Sequence, residues 1–355
     1  MRTPRTPRTP RTPKAAPTPS APSSPNTLTA PGTPTSPNTP NTPKALTAPK
    51  PPTAPRPRAR LRALLAVSAL CAAAFAAPGA TATAAAADRT PLHYVALGDS
   101  FAAAPLVRPA DPADPACVRS LAGYPRVAAS LLGATLTDVS CSGATADHLS
   151  ARQHPGTAPQ YDALTEDTDL VSITLGGNDT ALFNLATGCV NLLPKPLGRS
   201  CAATHTAGGK DTYADAVDAW APEFAAVLDT VARRAPHARI FVVGYGAYFR
   251  PGGCFPVQPF WAQDADYVQR TVDRLGTVLR TVAERHGATF VDTAAPGAGH
   301  DSCAAPADRW IEGAVSTRDA FPLHPNAAGS RAYGTALATA VHTSSTLRDR
   351  AAHSR

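Results

Sequence analysis

Four short polar segments carry residue types that can do chemistry together. Gly98-Asp99-Ser100-Phe101 puts a hydroxyl on a tight turn. Cys141-Ser142-Gly143-Ala144-Thr145 and Gly176-Gly177-Asn178-Asp179 offer backbone N–H groups beside glycine, with a side-chain amide donor in Asn178. His324-Pro325-Asn326 supplies an imidazole, a base that titrates near neutrality. A serine hydroxyl is a weak nucleophile until a base takes its proton. A carbonyl that it attacks becomes an oxyanion, and one fixed donor to that oxygen is worth about 10²–10³ in rate. Nucleophile, base and donors are the parts of acyl transfer. Singly they are weak signals, because Gly-Asp-Ser and Gly-Gly-Asn-Asp are common turns and a lone His is more often structural. Their occurrence together is the signal.

The elements that must position them alternate along the chain. Short apolar runs at His93–Leu97, Thr135–Val139, Leu170–Leu175, Ile240–Gly244 and Thr289–Val291 predict buried strands of a parallel sheet. Tyr124–Leu132, Tyr213–Arg234 and Ala262–His286 place apolar residues at three- and four-residue steps and predict helices, with Asn326–Val341 as a closing helix. Strands alternating with helices make an α/β fold, a parallel sheet covered on both faces by right-handed crossovers. Ligands in such sheets bind beyond the carboxyl ends of the strands. Three of the four polar segments follow the first three predicted strands directly.

Ser100, Gly143, Asn178 and His324, in that order, resemble the four marker residues of the SGNH (GDSL-type) hydrolase family, and the likeness covers nearly all of residues 91–341. It is especially similar to secreted actinobacterial esterases and lipases with three disulfides. The resemblance implies a three-layer sandwich with a five-stranded flavodoxin-like sheet, and hydrolysis of carboxylic esters without metal or cofactor. It makes Ser100 the nucleophile and His324 the general base. The Ser100 and Gly143 N–H groups and the Asn178 amide become the oxyanion hole, and Asp99 a structural neighbour. One departure stands out. The family's usual Asp, three residues before the His, is Phe321 here. Without that carboxylate the imidazolium lacks a counter-charge, and the favoured reading is a Ser–His dyad in which a backbone carbonyl orients the ring. The Phe321 carbonyl is the expected group and Asp319 its rival, with Asp301 and Asp308 behind them.

Composition divides the chain of 355 residues sharply. Residues 1–87 hold 11 of the 33 Lys and Arg and none of the 26 acidic residues, so residues 88–355 carry 22 basic against 26 acidic side chains. The basic balance belongs to the leader and argues for no nucleic-acid partner. Residues 1–57 repeat Pro/Thr units and predict a disordered leader, or a start assigned too far upstream. Residues 58–87 read as a secretory signal, with basic residues before an apolar run at Leu64–Ala77 and cleavage expected near Ala82–Ala87. That run falls short of the ~20 residues of a membrane span. Cys71 within it makes a poor lipoprotein site, because Leu70 precedes it. Residues 88–345 would be the hydrolase domain, secreted and monomeric, and residues 346–355 a tail.

Six cysteines remain, an even number that reads as disulfides in an exported chain. Fifteen connectivities are open. Pairing neighbours, as Cys117–Cys141, Cys189–Cys201 and Cys254–Cys303, closes three local loops and is the expectation. None of their spacings suits zinc. His148 and His154 read as surface residues, His286 as a helix-end cation, and Trp220, Trp261 and Trp310 as core. The 189–210 stretch reads as a stapled surface loop that could border an acyl pocket. The substrate is a small-molecule or lipid ester. The rival readings are a carbohydrate O-deacetylase, favoured by an open aromatic-rimmed groove, and a non-catalytic surface-binding module.

Overall fold

The structure is a computed structural model and describes residues 91–353. The predicted leader and signal lie outside the described residues. Five parallel strands run in the order β2-β1-β3-β4-β5. They are β1 (His93–Gly98), β2 (Thr135–Asp138), β3 (Leu170–Thr174), β4 (Arg239–Val243) and β5 (Thr289–Val291). Eight α-helices accompany them among the described residues: α1 (Ser100–Ala103), α2 (Tyr124–Leu132), α3 (Asp147–Ser150), α4 (Leu182–Gly188), α5 (Cys201–His205), α6 (Thr212–Arg234), α7 (Ala262–Arg285) and α8 (Ala327–His353).

The layers follow from the connections. The chain steps from β1 outward to β2, and later from β3 outward to β4 and β5. Right-handed crossovers in opposite directions put their helices on opposite faces. Accordingly α2 packs with α8, and α6 with α7. Every residue of β3 is buried, as a central strand between two helical layers requires. β2 differs from its predicted double-sided burial. It is an edge strand, and Thr135 and Thr137 are exposed. The closing helix also runs past its expected end at Val341, through residues 346–353. No Gly or Pro stands between His342 and His353 to stop it.

The core joins both faces, with Tyr94, Phe101, Tyr124, Phe224, Phe241, Tyr267 and Tyr333 all buried. Two of its hydroxyls pair between elements. Tyr94 shares a hydrogen bond of 2.6 Å with Ser172, and Tyr124 one of 2.9 Å with Thr174. Thr174 donates in turn to the Val243 carbonyl at 3.1 Å. These bonds tie β1, β3, β4 and α2 together just beneath the carboxyl ends of the strands. The three disulfides join Cys117 to Cys141, Cys189 to Cys201 and Cys254 to Cys303.

Candidate active site

The Ser100 turn is built by its neighbours. Gly98 ends β1 at a φ of +139°. A Cβ there would lie 2.4 Å from the Thr174 carbonyl oxygen, so only glycine lets the chain leave β1 this close to β3. The buried Gln160 amide grips the same residue twice. It accepts from the Gly98 N–H at 2.8 Å and donates to its carbonyl at 2.9 Å. Asp99 then caps α1, its carboxylate accepting from the Phe101 N–H at 2.9 Å. Its other oxygen accepts from the Tyr245 hydroxyl. Burial pushes the Asp99 carboxyl up to about 7, against the lowering pull of the Tyr245 and Phe101 hydrogen bonds. Tyr245 also accepts from the Gly177 N–H at 2.8 Å, so one hydroxyl joins the Ser100 turn to the Gly176–Asp179 loop.

His324 meets Ser100 from the far end of the chain. Its Nε2 lies 2.6 Å from Ser100 Oγ, and its Nδ1 lies 2.8 Å from the Pro322 carbonyl oxygen. A carbonyl only accepts, so Nδ1 carries the proton and Nε2 keeps a lone pair toward the serine hydroxyl. The orienting group is thus the Pro322 carbonyl and not that of Phe321. The turn explains the difference. Leu323 adopts a φ of +62°, which aims the Pro322 carbonyl at the ring. The Phe321 carbonyl accepts from the backbone N–H of His324 at 3.2 Å. Asp319 is drawn away to the surface, where it pairs with Arg108 at 2.8 and 3.2 Å. Asp301 pairs with Arg250 at 3.1 Å. Burial pushes the His324 imidazole down to about 4, and the Pro322 hydrogen bond opposes the shift. The ring is therefore neutral at neutral pH.

The rest of the His-Pro-Asn motif is structural. Asn326 Oδ1 accepts from the N–H groups of Ala328 and Gly329 at the start of α8, at 2.9 and 3.1 Å. Its Nδ2 donates to buried Glu312 at 2.8 Å, and Glu312 accepts from the Thr317 N–H at 2.8 Å. The Glu312 N–H donates to the His324 carbonyl at 3.0 Å.

Asn178 Nδ2 donates one hydrogen to the Ala144 carbonyl at 2.8 Å. This bond fastens the β3 loop to the β2 loop and leaves the second amide hydrogen for a ligand. Neighbouring Asp179 accepts from the Ala146 N–H at 2.7 Å. The N–H groups of Ser100 and Gly143 make no hydrogen bond within the described residues. Ser100, Gly143, Asn178 and His324 all line one cavity of about 350 Å³, walled by Pro105, Leu106, Val118, Ser142, Phe183 and Phe321. The Phe321 and Phe183 rings lie 5.3 and 6.0 Å from the His324 ring. A smaller chamber of about 30 Å³ reaches inward past Ser100 toward Tyr245 and Tyr248. The 189–210 segment lends no residue to either wall.

Residues 96–332 match the family model described as the GDSL-like lipase/acylhydrolase family. Lipase 2 of Streptomyces coelicolor is 42% identical over 71% of this chain and 87% of its own length. This chain belongs to the GDSL-like lipase/acylhydrolase family. It is a carboxylic ester hydrolase of the SGNH type. A lipase of Streptomyces rimosus is 30% identical over 71% of this chain and 87% of its own. Among solved structures, phospholipase A1 from Streptomyces albidoflavus superposes with a TM-score of 0.59 at 27% identity. That likeness covers 70% of this chain and 99% of the other.

Sequence reasoning on this GDSL-like chain missed Tyr245, Gln160 and Glu312. Tyr245 has a local signal, since it follows β4 as the polar segments follow β1 and β3. Gln160 and Glu312 have none. Of the histidines expected at the surface, His148 is half-buried and its Nδ1 accepts from the Thr145 N–H at 3.0 Å. His154 is half-buried as well. Trp220 and Trp261 are buried. Half-buried Trp310 stacks on His300 with ring centroids 4.1 Å apart.

Proposed function

We propose that this chain cleaves esters of apolar acyl groups through an acyl-enzyme on Ser100, with His324 as general base. Ser100 Oγ attacks the acyl carbon and passes its proton to His324 Nε2. The new oxyanion takes hydrogen bonds from the Ser100 N–H, the Gly143 N–H and the free Asn178 hydrogen. As the carbon–oxygen bond of the ester breaks, His324 returns the proton to the leaving alcohol. Water then attacks the acyl carbon as His324 takes its proton, and the Oγ–acyl bond breaks as His324 returns that proton to Ser100 Oγ, releasing the acid. The Pro322 carbonyl holds the ring through both halves in place of a carboxylate. The single observation that carries this reading is the 2.6 Å approach of Nε2 to Oγ while Nδ1 is committed to the Pro322 carbonyl.

The walls support an apolar acyl group. Leu106, Val118, Phe183 and Phe321 offer it carbon surface beside the donors. The three disulfides support an oxidising, extracellular compartment. A solved structure from Streptomyces rimosus, 27% identical to this chain with a TM-score of 0.59, is described as an extracellular lipase. The test is hydrolysis of p-nitrophenyl esters from acetate upward, with Ser100→Ala beside the wild type. Turnover should fall by on the order of 10⁵-fold or more in the variant and rise in the wild type from acetate to medium chains. A maximum at acetate would overturn the apolar acyl group, and undiminished turnover in the variant would overturn the serine mechanism.

A further inference from the structure

The loop after β2 is a β-turn at Cys141–Ala144. The Ala144 N–H donates to the Cys141 carbonyl at 3.1 Å. Gly143 has a φ of +83°, and Ser142 is absent from the positive-φ residues. That combination is a type II turn, with Ser142 and Gly143 at its centre. Types I and II share their end positions and differ in the orientation of the central peptide. Here that peptide comprises the Ser142 carbonyl and the Gly143 N–H. Turned over, it would carry the Gly143 N–H away from the cleft. Glycine tolerates both forms, so the residue itself does not choose.

Both ends of the turn are pinned. Cys141 is bridged to Cys117, and the Ser142 N–H donates to the Cys117 carbonyl at 3.0 Å. The Ala144 carbonyl accepts from Asn178 at 2.8 Å. Only the central peptide retains freedom. Gln153, a few residues beyond α3, meets it. Its Nε2 donates to the Ser142 carbonyl at 2.7 Å. The same nitrogen lies 3.4 Å from where a Cβ on Gly143 would sit, so the amide rests against the turn. Gln153 Oε1 is buried with no partner, so this bond is the side chain's one hydrogen bond among the described residues. Reversing the amide would set oxygen against oxygen.

We infer that Gln153 is a positioning residue that locks the Ser142–Gly143 peptide with its N–H toward the oxyanion. The inference rests on the reading of Gly143 as an oxyanion donor. A peptide is planar and trans, with its C=O and N–H pointing in opposite directions. Holding the carbonyl therefore aims the N–H. A hydrogen bond received by the carbonyl also polarises the peptide and strengthens its N–H as a donor. The effect falls on the tetrahedral intermediate, because a ground-state ester draws little on the donors.

The test compares Gln153→Leu, which removes the donor, with Gln153→Glu, which sets an acceptor against the carbonyl, and with Gly143→Ala. Alanine disfavours a φ of +83° and turns the peptide over. Each protein is measured for kcat and KM on a p-nitrophenyl ester, for the Ki of an alkylboronic acid mimicking the tetrahedral intermediate, and for Tm. Gln153→Leu should lower kcat by roughly 10–100-fold, short of the 10²–10³ for a lost donor. KM should stay within about twofold, and the boronate Ki should rise by the factor lost in kcat. Gln153→Glu should lose more, and it carries the test if the leucine variant does not fold. The double variant Gln153→Leu/Gly143→Ala should be no worse than Gly143→Ala alone, because both act on one N–H. Unchanged kcat and Ki in Gln153→Leu, with losses in Gly143→Ala, would overturn the role of Gln153 alone. Additive losses in the double variant would do the same. Undiminished kcat in Gly143→Ala would instead overturn Gly143 as the donor beneath it.

Discussion

Lowering the pH should switch this hydrolase off far below the usual range of a histidine base. His324 must be neutral to accept the Ser100 proton. A free imidazole titrates at 6.5, and burial pushes this one down to about 4. The cause is visible in its surroundings, where the rings of Phe321, Phe183 and Phe101 lie 5.3, 6.0 and 6.1 Å from it. The Pro322 carbonyl accepts from Nδ1 at 2.8 Å, but it carries no full charge to hold a proton on the ring. At pH 5 an imidazole of ordinary pKa is about 3% neutral, whereas one near 4 is about 90% neutral. The assay is kcat/KM from pH 3.5 to 8 on an ester that does not ionise, with circular dichroism to confirm folding. The expected profile rises with pH through a midpoint near 4 and is flat above about 5.5. A midpoint between 6 and 7 would show that the working ring is hydrated and would refute the burial argument.

The same shift has a consequence for stability. The unfolded chain takes up the His324 proton near 6.5 and the native chain only near 4. The contribution of a neutral His324 is therefore complete above pH 6.5 and lost as the pH falls to about 4, a change of about 3 kcal/mol. Asp99 acts in the opposite sense. Its native pKa is raised from 3.8 to about 7, so its contribution is present below 3.8 and lost as the pH rises through 7. Urea titrations of the wild type against His324→Gln isolate the histidine, because Asp99 is common to both.

Further outcomes follow from the same geometry. Tyr245→Phe leaves the Gly177 N–H and one Asp99 oxygen buried and unpaired, and should cost about 2–4 kcal/mol by urea unfolding. A loss under about 0.5 kcal/mol would show that water replaces the hydroxyl. Asp319→Asn should leave kcat within about twofold, because its carboxylate pairs with exposed Arg108 and not with His324. A loss of orders of magnitude would restore Asp319 as the orienting acid. Phe321→Ala uncovers one side of His324 and one wall of the cavity. It should move the kcat/KM midpoint upward from about 4 and flatten the preference for longer acyl chains. An unmoved midpoint would place the cause of the shift elsewhere.

The strands and long helices were legible because each has a local pattern. β5 and α2 have their expected ends, and α6 and α7 differ from theirs by one residue. Three of the four polar segments were legible because each follows a strand whose carboxyl end points at a ligand, and the His324 segment because it precedes the closing helix. What escaped is set by tertiary geometry. Which carbonyl faces His324 depends on one positive φ at Leu323, and a leucine gives no warning of it. Gln160 and Tyr245 act across 62 and 146 residues of chain, and nothing beside them in sequence marks their partners. The pattern of β2 predicts burial on both faces, because strand patterns do not reveal which strand lies at an edge. The apolar period of the closing helix ends at Val341, whereas the helix itself continues to His353 because no stop signal follows.

The central claim is that Ser100, activated by His324, forms the covalent intermediate. The most direct measurement is mass spectrometry of the oxidised protein after reaction with an alkyl fluorophosphonate, with the adduct mapped by peptide. One adduct per chain on Ser100 is expected, absent in Ser100→Ala and slowed by on the order of 10³-fold or more in His324→Ala. An adduct on another residue, or undiminished labelling in His324→Ala, would contradict it.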